Sequence, residues 1–399
     1  MSASFTETTS VKREKVVVII PTYNEGLVIK STITQVFEAA DALADFEVHI
    51  LIFDSASTDN TQANIIELQK IYPSLHLLNE RSKSGLGSAY LQAMNYALKA
   101  LEADIVFEFD ADLSHQPKYI APMLEKMRTA DVVVGSRYVA GGSIPQDWGF
   151  HRKMFSILGN YIARSVLTPK YKDFTSGFRA TRSQILKKIL PKAFLSSHFA
   201  YKLELLWLLH KGGAKILEFP IEFIDREKGE SKLPTNSIID SLRVVFTLRI
   251  YELQRYFKMC LVGLIGMGVQ FLVYNVLRQH LSPFAAMQIA VTAAIANNFI
   301  LNSRFTFNSH LMVKKPNNLK RFAGFFAYSL FTIYLQSFWL KFGVSYFGGG
   351  ALKENIILAF GIGFLSLLNY FAYSRHIWPD SKKLLQMANV EEIGCEKTA

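Results

Sequence analysis

Cysteine is nearly absent from this chain, which has only Cys260 and Cys395 among 399 residues. So few cysteines exclude a disulfide framework and the paired spacing of a zinc site. The first twenty residues, "MSASFTETTSVKREKVVVII", also lack a basic start followed by an apolar run of roughly 7 to 15 residues and a cleavage site. We therefore expect no signal peptide, and we expect the N-terminal half to stay in the cytosol.

Charge is missing from four long stretches in the C-terminal third. They are "MCLVGLIGMGVQFLVYNVL" from Met259, "LSPFAAMQIAVTAAIANNFILN" from Leu281, "FAGFFAYSLFTIYLQSFWL" from Phe322 and "NIILAFGIGFLSLLNYFAYS" from Asn355. Each approaches the roughly 20 residues that a helix needs to cross a bilayer core. Together with a mean hydropathy of +0.16, they predict an integral membrane protein with four transmembrane helices.

Basic residues indicate how these helices are oriented. The loop after the second stretch and the chain end after the fourth are both basic, carrying Arg304, Lys314, Lys315, Lys320 and Arg321 in the loop and Arg375, His376, Lys382 and Lys383 at the end. Basic loops stay in the cytoplasm, so we expect both termini inside. The formal net charge of +11 favours anionic lipid and phosphate-bearing ligands over nucleic acid as partners.

Apolar strands alternate with helical stretches from residue 16 to about residue 135. The strand candidates are "KVVVII", "EVHILIFD", "LHLLN", "ADIVFEFD" and "DVVVG", ending at Ile20, Asp54, Asn79, Asp110 and Gly135. This alternation predicts an α/β fold with a mostly parallel sheet covered by helices on both faces. Ligands of such sheets bind beyond the carboxyl ends of the strands, so "PTYNE", "DSASTDNT" and "DADLSHQP" should meet in one cleft.

The chain divides into five expected segments. Residues 1–15 are a flexible N-terminus, 16–234 the sheet domain, 259–379 the all-α membrane domain and 380–399 a cytoplasmic tail. Residues 235–258 resemble basic amphipathic helices that lie in the lipid interface, although a core helix with solvated arginines gives the same pattern. "NNFILNSRFTF" and "LNYFAYSRHIW" form a weak internal repeat in the membrane domain, as two duplicated hairpins would.

The stretch "FDADLSHQP" places Asp110 and Asp112 at the end of a predicted buried strand. Two carboxylates this close repel each other unless a cation lies between them, and their hard oxygens suit Mg²⁺ or Mn²⁺. Such a metal would offset the charge of a departing diphosphate. The alternative is a helix start with Ser114 as the cap and Pro117 in the first turn.

Two further loops suit a nucleoside, with Tyr23 and Glu25 in the first and Asp54 and Ser55 in the second. In order, the chain carries "PTYNE", "GLGSAY", "DADLSHQPKYI", "VVGSRYVAGG", "DFTSGFRATR" and "DREKGESKL". This ordered set, over about residues 15 to 235, resembles the polyprenol (dolichol) phosphate mannose synthases among the family 2 glycosyltransferases of GT-A fold. The membrane domain resembles the GtrA type.

The resemblance implies roles at the matched positions. Donor-binding residues would be Pro21, Tyr23, Glu25, Asp54, Ser55, Asp110, Ala111, Asp112, Arg226 and Lys232. The metal would be held by Asp110 and Asp112, with Ser114 as a doubtful third ligand because some members have Gln there. The acceptor phosphate would be bound by Arg137, Arg152 and Ser176, and the residues counted as catalytic would be Asp110, Asp112, Arg137, Arg152 and Arg226.

The resemblance therefore predicts inverting transfer of mannose from GDP-mannose to polyprenyl phosphate on the cytoplasmic membrane face. Polyprenyl phosphate is already ionised, so the enzyme needs cations that position two anions rather than a general base. A related UDP-glucose:polyprenyl phosphate glucosyltransferase stays open, as does a lipid-linked sugar flippase or scaffold. A processive polysaccharide synthase is disfavoured, because no Gln-x-x-Arg-Trp segment occurs. A homo-oligomer is possible.

Overall fold

Seven strands form one mixed sheet in the first part of the chain. They are β1 (Glu14–Thr22), β2 (Phe46–Asp54), β3 (Leu75–Asn79), β4 (Ile105–Glu108), β5 (Val132–Ser136), β6 (Arg179–Arg182) and β7 (Ile216–Pro220). Their spatial order is β3-β2-β1-β4-β6-β5-β7. Only β6 runs antiparallel to its neighbours β4 and β5, which confirms a mostly parallel α/β sheet.

The structure is a computed structural model that describes residues 13–41, 43–225, 237–307, 318–348 and 350–378. It divides into two compact units, residues 1–249 and 250–399. The division falls inside the segment 235–258 for which interface helices were predicted. The expected tail, 380–399, lies outside the described residues, and so does most of the expected N-terminal segment.

Five of the seven strands were predicted, and two were not. β6 and β7 are only 4 and 5 residues long, and "RATR" has two charged ends where a buried strand is normally apolar. The predicted end of the fourth strand at Asp110 was two residues too late, because β4 ends at Glu108. Asp110 and Asp112 therefore both lie in the loop that follows the sheet.

Helices cover both faces of the sheet. They are α1 (Ile29–Asp41), α2 (Thr61–Gln69), α3 (Leu86–Lys99), α4 (Ile120–Lys126), α5 (Phe150–Val166), α6 (Ser183–Ile189) and α7 (Tyr201–Lys211). Alternate residues of β1 enter two separate cores: Val17 and Ile19 pack on the α3 and α7 side, and Val18 and Ile20 pack on the α1 and α4 side. The sheet is buried on both faces, as the apolar strand runs predicted.

The "GLGSAY" segment forms the start of α3, where its two glycines lie close to the backbone of residues 196 and 197. Gly85 has φ +104°, and a Cβ there would come within 2.4 Å of the Ser197 carbonyl oxygen. A Cβ on Gly87 would lie 2.6 Å from the Ser196 carbonyl oxygen. These glycines therefore permit close backbone approach and do not form a dinucleotide loop.

A buried ion pair joins β4 to β6 directly below the cleft. Glu108 and Arg179 are cross-strand partners, exposed by 1% and 0%. The Arg179 guanidinium donates from Nε and Nη2 to the two Glu108 oxygens at 2.6 and 2.9 Å, and the Tyr201 hydroxyl donates to Glu108 at 3.0 Å. Burial alone would lower the pKa of Arg179, but the carboxylate of Glu108 outweighs it and raises that pKa. Arg179 is therefore charged.

The second unit is helical. Its helices are α8 (Ser237–Leu277), which begins in the first unit, and α9 (Pro283–Leu301), α10 (Asn318–Phe347) and α11 (Ala351–Ala372). The four uncharged stretches fall in or largely in these four helices. Among the described residues, Ser237–Leu277 and Ala285–Thr306 are long and apolar enough to cross a membrane. The predicted interface segment and the first uncharged stretch form one continuous helix.

The internal repeat is visible in the backbone. α9 and α11 both end in a five-residue π-helical turn, Asn302–Thr306 and Tyr373–Ile377. Each turn is closed by the amide of the next aromatic residue, from Phe307 to Asn302 O at 2.8 Å and from Trp378 to Tyr373 O at 2.7 Å. The rings of Phe307 and Trp378 then stack on each other at 4.9 Å. Both hairpins of the repeat therefore end in the same local structure.

We predict that the Arg179→Met variant is strongly destabilised, because it leaves the Glu108 charge buried without its partner. Breaking a buried pair in this way costs about 3–5 kcal/mol, or a fall of about 6–20 °C in melting temperature for a unit of this size. Thermal unfolding of the detergent-solubilised protein measures the fall.

The matched control is Arg128→Met, because Arg128 pairs with Glu125 and Asp45 at the surface and such pairs contribute at most about 1 kcal/mol. Equal shifts for the two variants would contradict the assignment.

Candidate active site

A cavity of about 890 Å³ opens beyond the carboxyl ends of β1, β4 and β5. Residues from the three predicted loops line it together with residues of α5, α7 and the first turns of α8. All of these residues belong to the first unit. Of the predicted site residues, those that line it are Pro21, Tyr23, Glu25, Ser55, Asp110, Ala111, Asp112, Ser114, Arg137, Arg152 and Ser176.

Asp110 and Asp112 share the loop after β4, where Leu113 adopts a positive φ of 57°. The Asp110 Oδ2 atom lies 3.3 Å from His115 Nδ1 and 3.6 Å from Lys202 Nζ. The Asp112 Oδ1 atom accepts hydrogen bonds from the amide and hydroxyl of Ser114 at 3.1 and 2.6 Å. Both carboxylates are thereby held in place at the cavity wall.

The alternative prediction for this stretch was a helix start, with Ser114 as the cap and Pro117 in the first turn. The position of Pro117 is confirmed, and the cap at Ser114 is wrong. Pro117 does begin a 3₁₀ turn that leads into α4. Ser114, however, caps no helix, because its hydroxyl donates to Asp112. The residue that precedes the turn is Gln116, and its side chain makes no capping hydrogen bond.

The two carboxylates fit a divalent cation that other ligands complete. Among the described residues, no group of three or more His, Cys, Asp or Glu side chains could hold a metal ion. Mg²⁺ binds typically through one or two carboxylates together with substrate phosphates and water. A site of two aspartates in a roomy cavity therefore suits a metal that arrives with a phosphorylated ligand.

Asp54 organises the two loops beyond β1 and β2. Its side chain is fully buried and accepts hydrogen bonds from the Thr22 hydroxyl at 2.9 Å, the Ser57 hydroxyl at 2.6 Å and Gln62 Nε2 at 2.7 Å. It is not among the cavity-lining residues. In this structure Asp54 therefore positions the loops, and the predicted contact with a nucleoside stays a prediction.

Tyr23 provides the aromatic surface of the first loop. Lys83 Nζ lies 3.6 Å from the centre of the Tyr23 ring, which is a cation–π contact. The neighbouring Asn24 has a positive φ of 53°, and its amide donates to the Ser57 hydroxyl at 2.8 Å. The first loop is thus tied to the second, with Tyr23 at the cavity wall.

Arg137 is held by Asp173, a residue that the sequence did not single out. The guanidinium donates from Nε and Nη2 to the two Asp173 oxygens at 2.7 and 2.8 Å, and from Nη2 to the Thr175 hydroxyl at 2.7 Å. Burial alone would raise the pKa of Asp173, but Arg137 lowers it below its usual value. Asp173 therefore stays ionised and fixes the guanidinium beside the cavity.

Arg152 is held less firmly. It pairs with Asp225 through Nη1 at 2.8 Å and Nη2 at 3.3 Å, and both side chains are about two-fifths exposed, at 40% and 43%. Its guanidinium also lies 4.0 Å from the centre of the Trp148 ring. Solvent weakens an exposed pair of this kind, so Arg152 can exchange Asp225 for an anionic ligand.

His115 and Lys202 meet Asp110 in the inner part of the cavity. His115 is 3% exposed, stacks on Phe178 at 4.9 Å, and has its pKa lowered to about 4, mainly by burial. It is therefore neutral at pH 7. Lys202, exposed by 9%, brings a cation to Asp110 that the sequence analysis missed.

Comparisons with known proteins identify the family. Residues 17–190 match the model of glycosyl transferase family 2, and residues 258–378 match the GtrA/DPMS transmembrane domain. An undecaprenyl-phosphate mannosyltransferase from Micrococcus luteus is 37% identical over 219 residues, which cover 55% of this chain and 87% of that protein. The chain belongs to glycosyltransferase family 2.

Two further relatives share this similarity. The polyprenol monophosphomannose synthase of Mycolicibacterium smegmatis is 34% identical over 231 residues, covering 57% of this chain and 84% of that protein. The dolichol-phosphate mannosyltransferase of Pyrococcus furiosus is 32% identical over 305 residues, covering 73% of this chain and 81% of that protein. This glycosyltransferase is therefore an integral membrane protein with a GT-A sheet domain and a helical GtrA/DPMS domain.

Two of the predicted site residues of the glycosyltransferase lie outside the part of the chain that the structure describes. Arg226 and Lys232 lie in the segment 226–236, outside the described residues. The contributors to the site that the sequence did not single out include Lys83, Asp173, Trp148 and Lys202. Asp173 stands in the quoted "DFTSGFRATR" motif, so its acidic side chain was a usable signal. Trp148 and Lys202 lie outside the quoted motifs and are brought to the cavity only by folding.

We predict that Asp173→Asn lowers sugar transfer about 100-fold, because a misplacement of about 1 Å in a positioning group can cost that factor. The loss should appear in kcat with the protein still folded, as measured by initial rates and by melting temperature. Arg137→Lys should behave similarly, since lysine keeps the charge but loses the two-pronged contact. Thr175→Val, which removes one hydrogen bond from the same guanidinium, is the control and should lose much less activity. Wild-type rates for Asp173→Asn would show that Arg137 needs no anchor.

Proposed function

We propose that this glycosyltransferase transfers mannose from GDP-mannose to polyprenyl phosphate. The observation that carries the proposal is the pairing, in one cavity, of two carboxylates that fit a metal with Arg137 and Arg152. Carboxylates suit the metal-bound diphosphate of a donor, and arginines suit the phosphate of an acceptor. The names of the three relatives, each a mannosyltransferase or mannose synthase acting on a polyprenol or dolichol phosphate, support this substrate pair.

In the proposed reaction, a phosphate oxygen of the acceptor attacks the anomeric carbon of the donor. A new carbon–oxygen bond forms while the bond from that carbon to the diphosphate breaks, and the configuration inverts. The electron pair of the broken bond leaves with the nucleoside diphosphate. No proton has to be removed, because the acceptor phosphate is already ionised.

The residues of this chain act by holding and orienting two anions. Tyr23, Glu25 and Ser55 would contact the nucleoside, and Arg137 and Arg152, with Ser176, would bind the acceptor phosphate. A metal ion, Mg²⁺ or Mn²⁺ and held by Asp110 and Asp112, would supply positive charge to the leaving diphosphate. Asp173 keeps the Arg137 guanidinium in place and thereby fixes where the acceptor phosphate binds.

The remaining predicted roles are part of the same proposal. Asp54 would position the nucleoside indirectly, by holding the two loops that it joins. The backbone of Ala111 would contact the diphosphate. Arg226 and Lys232 would bind phosphates from the segment 226–236. Ser114 would hold Asp112 for the metal and is at most a third ligand.

We further propose that four helices span the membrane, with the first unit and both termini in the cytoplasm. The basic loop and chain end noted above support this orientation. In a Cys260→Ser background, a membrane-impermeant maleimide should label Cys395 in inside-out vesicles, with no labelling in sealed right-side-out vesicles. The opposite pattern would reverse the topology.

We predict that membranes containing the protein convert GDP-mannose and polyprenyl phosphate to a lipid-linked mannose, and that EDTA abolishes the conversion until Mg²⁺ or Mn²⁺ is restored. The assay is transfer of labelled sugar into the organic phase, run in parallel with UDP-glucose. Asp112→Asn should lose at least about 100-fold in rate because charge stabilisation in the active site is lost.

The matched control is Asp147→Asn, which changes an exposed aspartate outside the cavity and should retain full activity. Transfer from UDP-glucose alone, inhibited by UDP and not by GDP, would replace mannose with glucose in the proposal. Absence of transfer from either donor by folded wild-type protein would favour a scaffold or flippase instead.

A further inference from the structure

Helix α5 carries the largest exposed apolar face among the described helices of the sheet unit. Besides Phe155, which is 44% exposed and lines the cavity, its exposed apolar side chains are Phe150 at 74%, Met154 at 38%, Ile157 at 52%, Leu158 at 45% and Tyr161 at 65%. Their spacing of 4, 3, 1 and 3 residues places them on one side of an α-helix. Solvated helices of a globular domain rarely carry such a stripe.

Outside α5 and the first turns of α8, the exposed apolar residues in the described part of this unit are isolated. Leu27 precedes α1, Ile66 lies on α2, Ile71 follows α2, and Tyr96 lies on α3. Scattered residues of this kind are normal on a soluble surface. The apolar face of α5 therefore needs a separate explanation.

The charge of α5 indicates what covers this face. The helix "FHRKMFSILGNYIARSV" contains Arg152, Lys153 and Arg164 and no Asp or Glu. A helix with an apolar face and only basic charges binds the surface of an anionic bilayer, where the apolar side chains enter the boundary between headgroups and acyl chains.

The neighbouring wall of the cavity supports the same partner. Phe155 and Leu158 of α5 line the cavity together with Ile238 and Leu242 of α8. The first turns of α8 also expose Ile239 at 68% and Phe246 at 51%. The same helix continues into the residues that match the transmembrane domain, which begin at 258, so the bilayer is already the partner of α8.

We propose that α5 is a second membrane-contacting helix of the sheet unit, with Phe150, Met154, Ile157, Leu158 and Tyr161 inserted into an anionic leaflet. The surface belongs to the catalytic unit itself and is separate from the transmembrane domain. It would place Arg152, on the same helix, near the plane of the lipid headgroups. The contact does not depend on which sugar the enzyme transfers.

A depth measurement on the full-length protein tests this proposal. A nitroxide is attached to Ile157→Cys in a Cys260→Ser, Cys395→Ser background, in nanodiscs of phosphatidylglycerol and phosphatidylcholine. The matched control is Ile66→Cys on α2, since Ile66 is 51% exposed. We expect the label at 157 to collide more with oxygen than with a water-soluble nickel complex, and the label at 66 to show the reverse.

Two outcomes would overturn the proposal. Water-like accessibility at 157, equal to that at 66, would show that α5 stays in solvent. Shielding from both reagents only in nanodiscs that hold two copies, together with dipolar broadening between labels, would make the face an interface between copies of this chain.

Lys202 supports a second, independent inference. Its side chain is 9% exposed, and its Nζ contacts Asp110 Oδ2 at 3.6 Å, which is longer than a hydrogen bond. No hydrogen bond from Nζ to another described residue accompanies this ion pair. An ammonium group has three donors, so a mostly buried lysine on a cavity wall with one carboxylate beside it keeps donors for a ligand.

Gly177 packs directly against this ammonium group. A Cβ at position 177 would lie 2.2 Å from Lys202 Nζ and 2.5 Å from Cε. Both residues line the cavity. A larger residue at position 177 would therefore require the end of the lysine side chain to move.

The distance between Lys202 and Asp110 fits a hydroxyl group. A hydroxyl can accept from Nζ and donate to the carboxylate at the same time. A phosphate oxygen can only accept, so it cannot donate to the Asp110 carboxylate. We infer that Lys202 and Asp110 together bind a hydroxyl group of the transferred sugar, which makes Lys202 a specificity-determining residue. This inference rests on the proposed function.

Calorimetric titration separates sugar binding from diphosphate binding. We expect Lys202→Met to weaken GDP-mannose binding about tenfold or more, as the loss of a hydrogen bond to a charged group does, and to leave GDP binding within about twofold. The control is Lys118→Met, which changes an exposed lysine, 58% accessible and paired with Glu222.

The outcomes distinguish this inference from the proposed function. Parallel losses for GDP-mannose and GDP would assign Lys202 to the diphosphate and overturn the sugar contact, and unchanged binding of both would overturn any ligand role. Failure of the wild-type protein to bind GDP-mannose would instead contradict the proposed donor.

Discussion

The buried pair of Glu108 and Arg179 is the interaction on which the site depends. It links the last residue of β4 to the first residue of β6, the one antiparallel strand of the sheet. Asp110 follows β4 by two residues, and Gly177 precedes β6 by two. The pair therefore fixes the two loops that carry the carboxylates of Asp110 and Asp112 and the Thr175–Gly177 wall of the cavity.

Each of three basic side chains at the cavity is paired with a carboxylate of this chain. Arg137 has Asp173, Arg152 has Asp225, and Lys202 has Asp110. The pairs differ in burial, and burial decides what each can do. The Arg137 pair is nearly inaccessible and holds a fixed geometry, whereas the Arg152 pair is about two-fifths exposed and weakened by solvent. A site for two anionic substrates needs both kinds, because one anion must be oriented and the other must be able to enter and leave.

The membrane part of the chain shows how a weak sequence repeat encodes a defined structure. Both "NSRFTF" and "YSRHIW" convert the end of an α-helix into a π-helical turn and then present an aromatic ring. The two rings, Phe307 and Trp378, stack almost parallel, at an interplanar angle of 3°. The repeat thus brings equivalent ends of two helices together, with Phe325 and Tyr373 packed around them.

The sequence by itself determined the features that depend on local pattern. Apolar runs and their spacing predicted β1 to β5, the helices between them and the four uncharged helices, because burial on both faces or in lipid demands such runs. The ordered motifs predicted the family, and most of the site residues assigned from that resemblance line the cavity. Tertiary structure alone decided the rest. β6 could not be foreseen, because Arg179 is tolerated in a buried strand only by its pairing with Glu108, 71 residues away. Asp54 is buried and holds two loops together instead of lining the cavity, and Lys202 lies beside Asp110. Neither position follows from local sequence, because long-range packing sets which polar groups face a cavity.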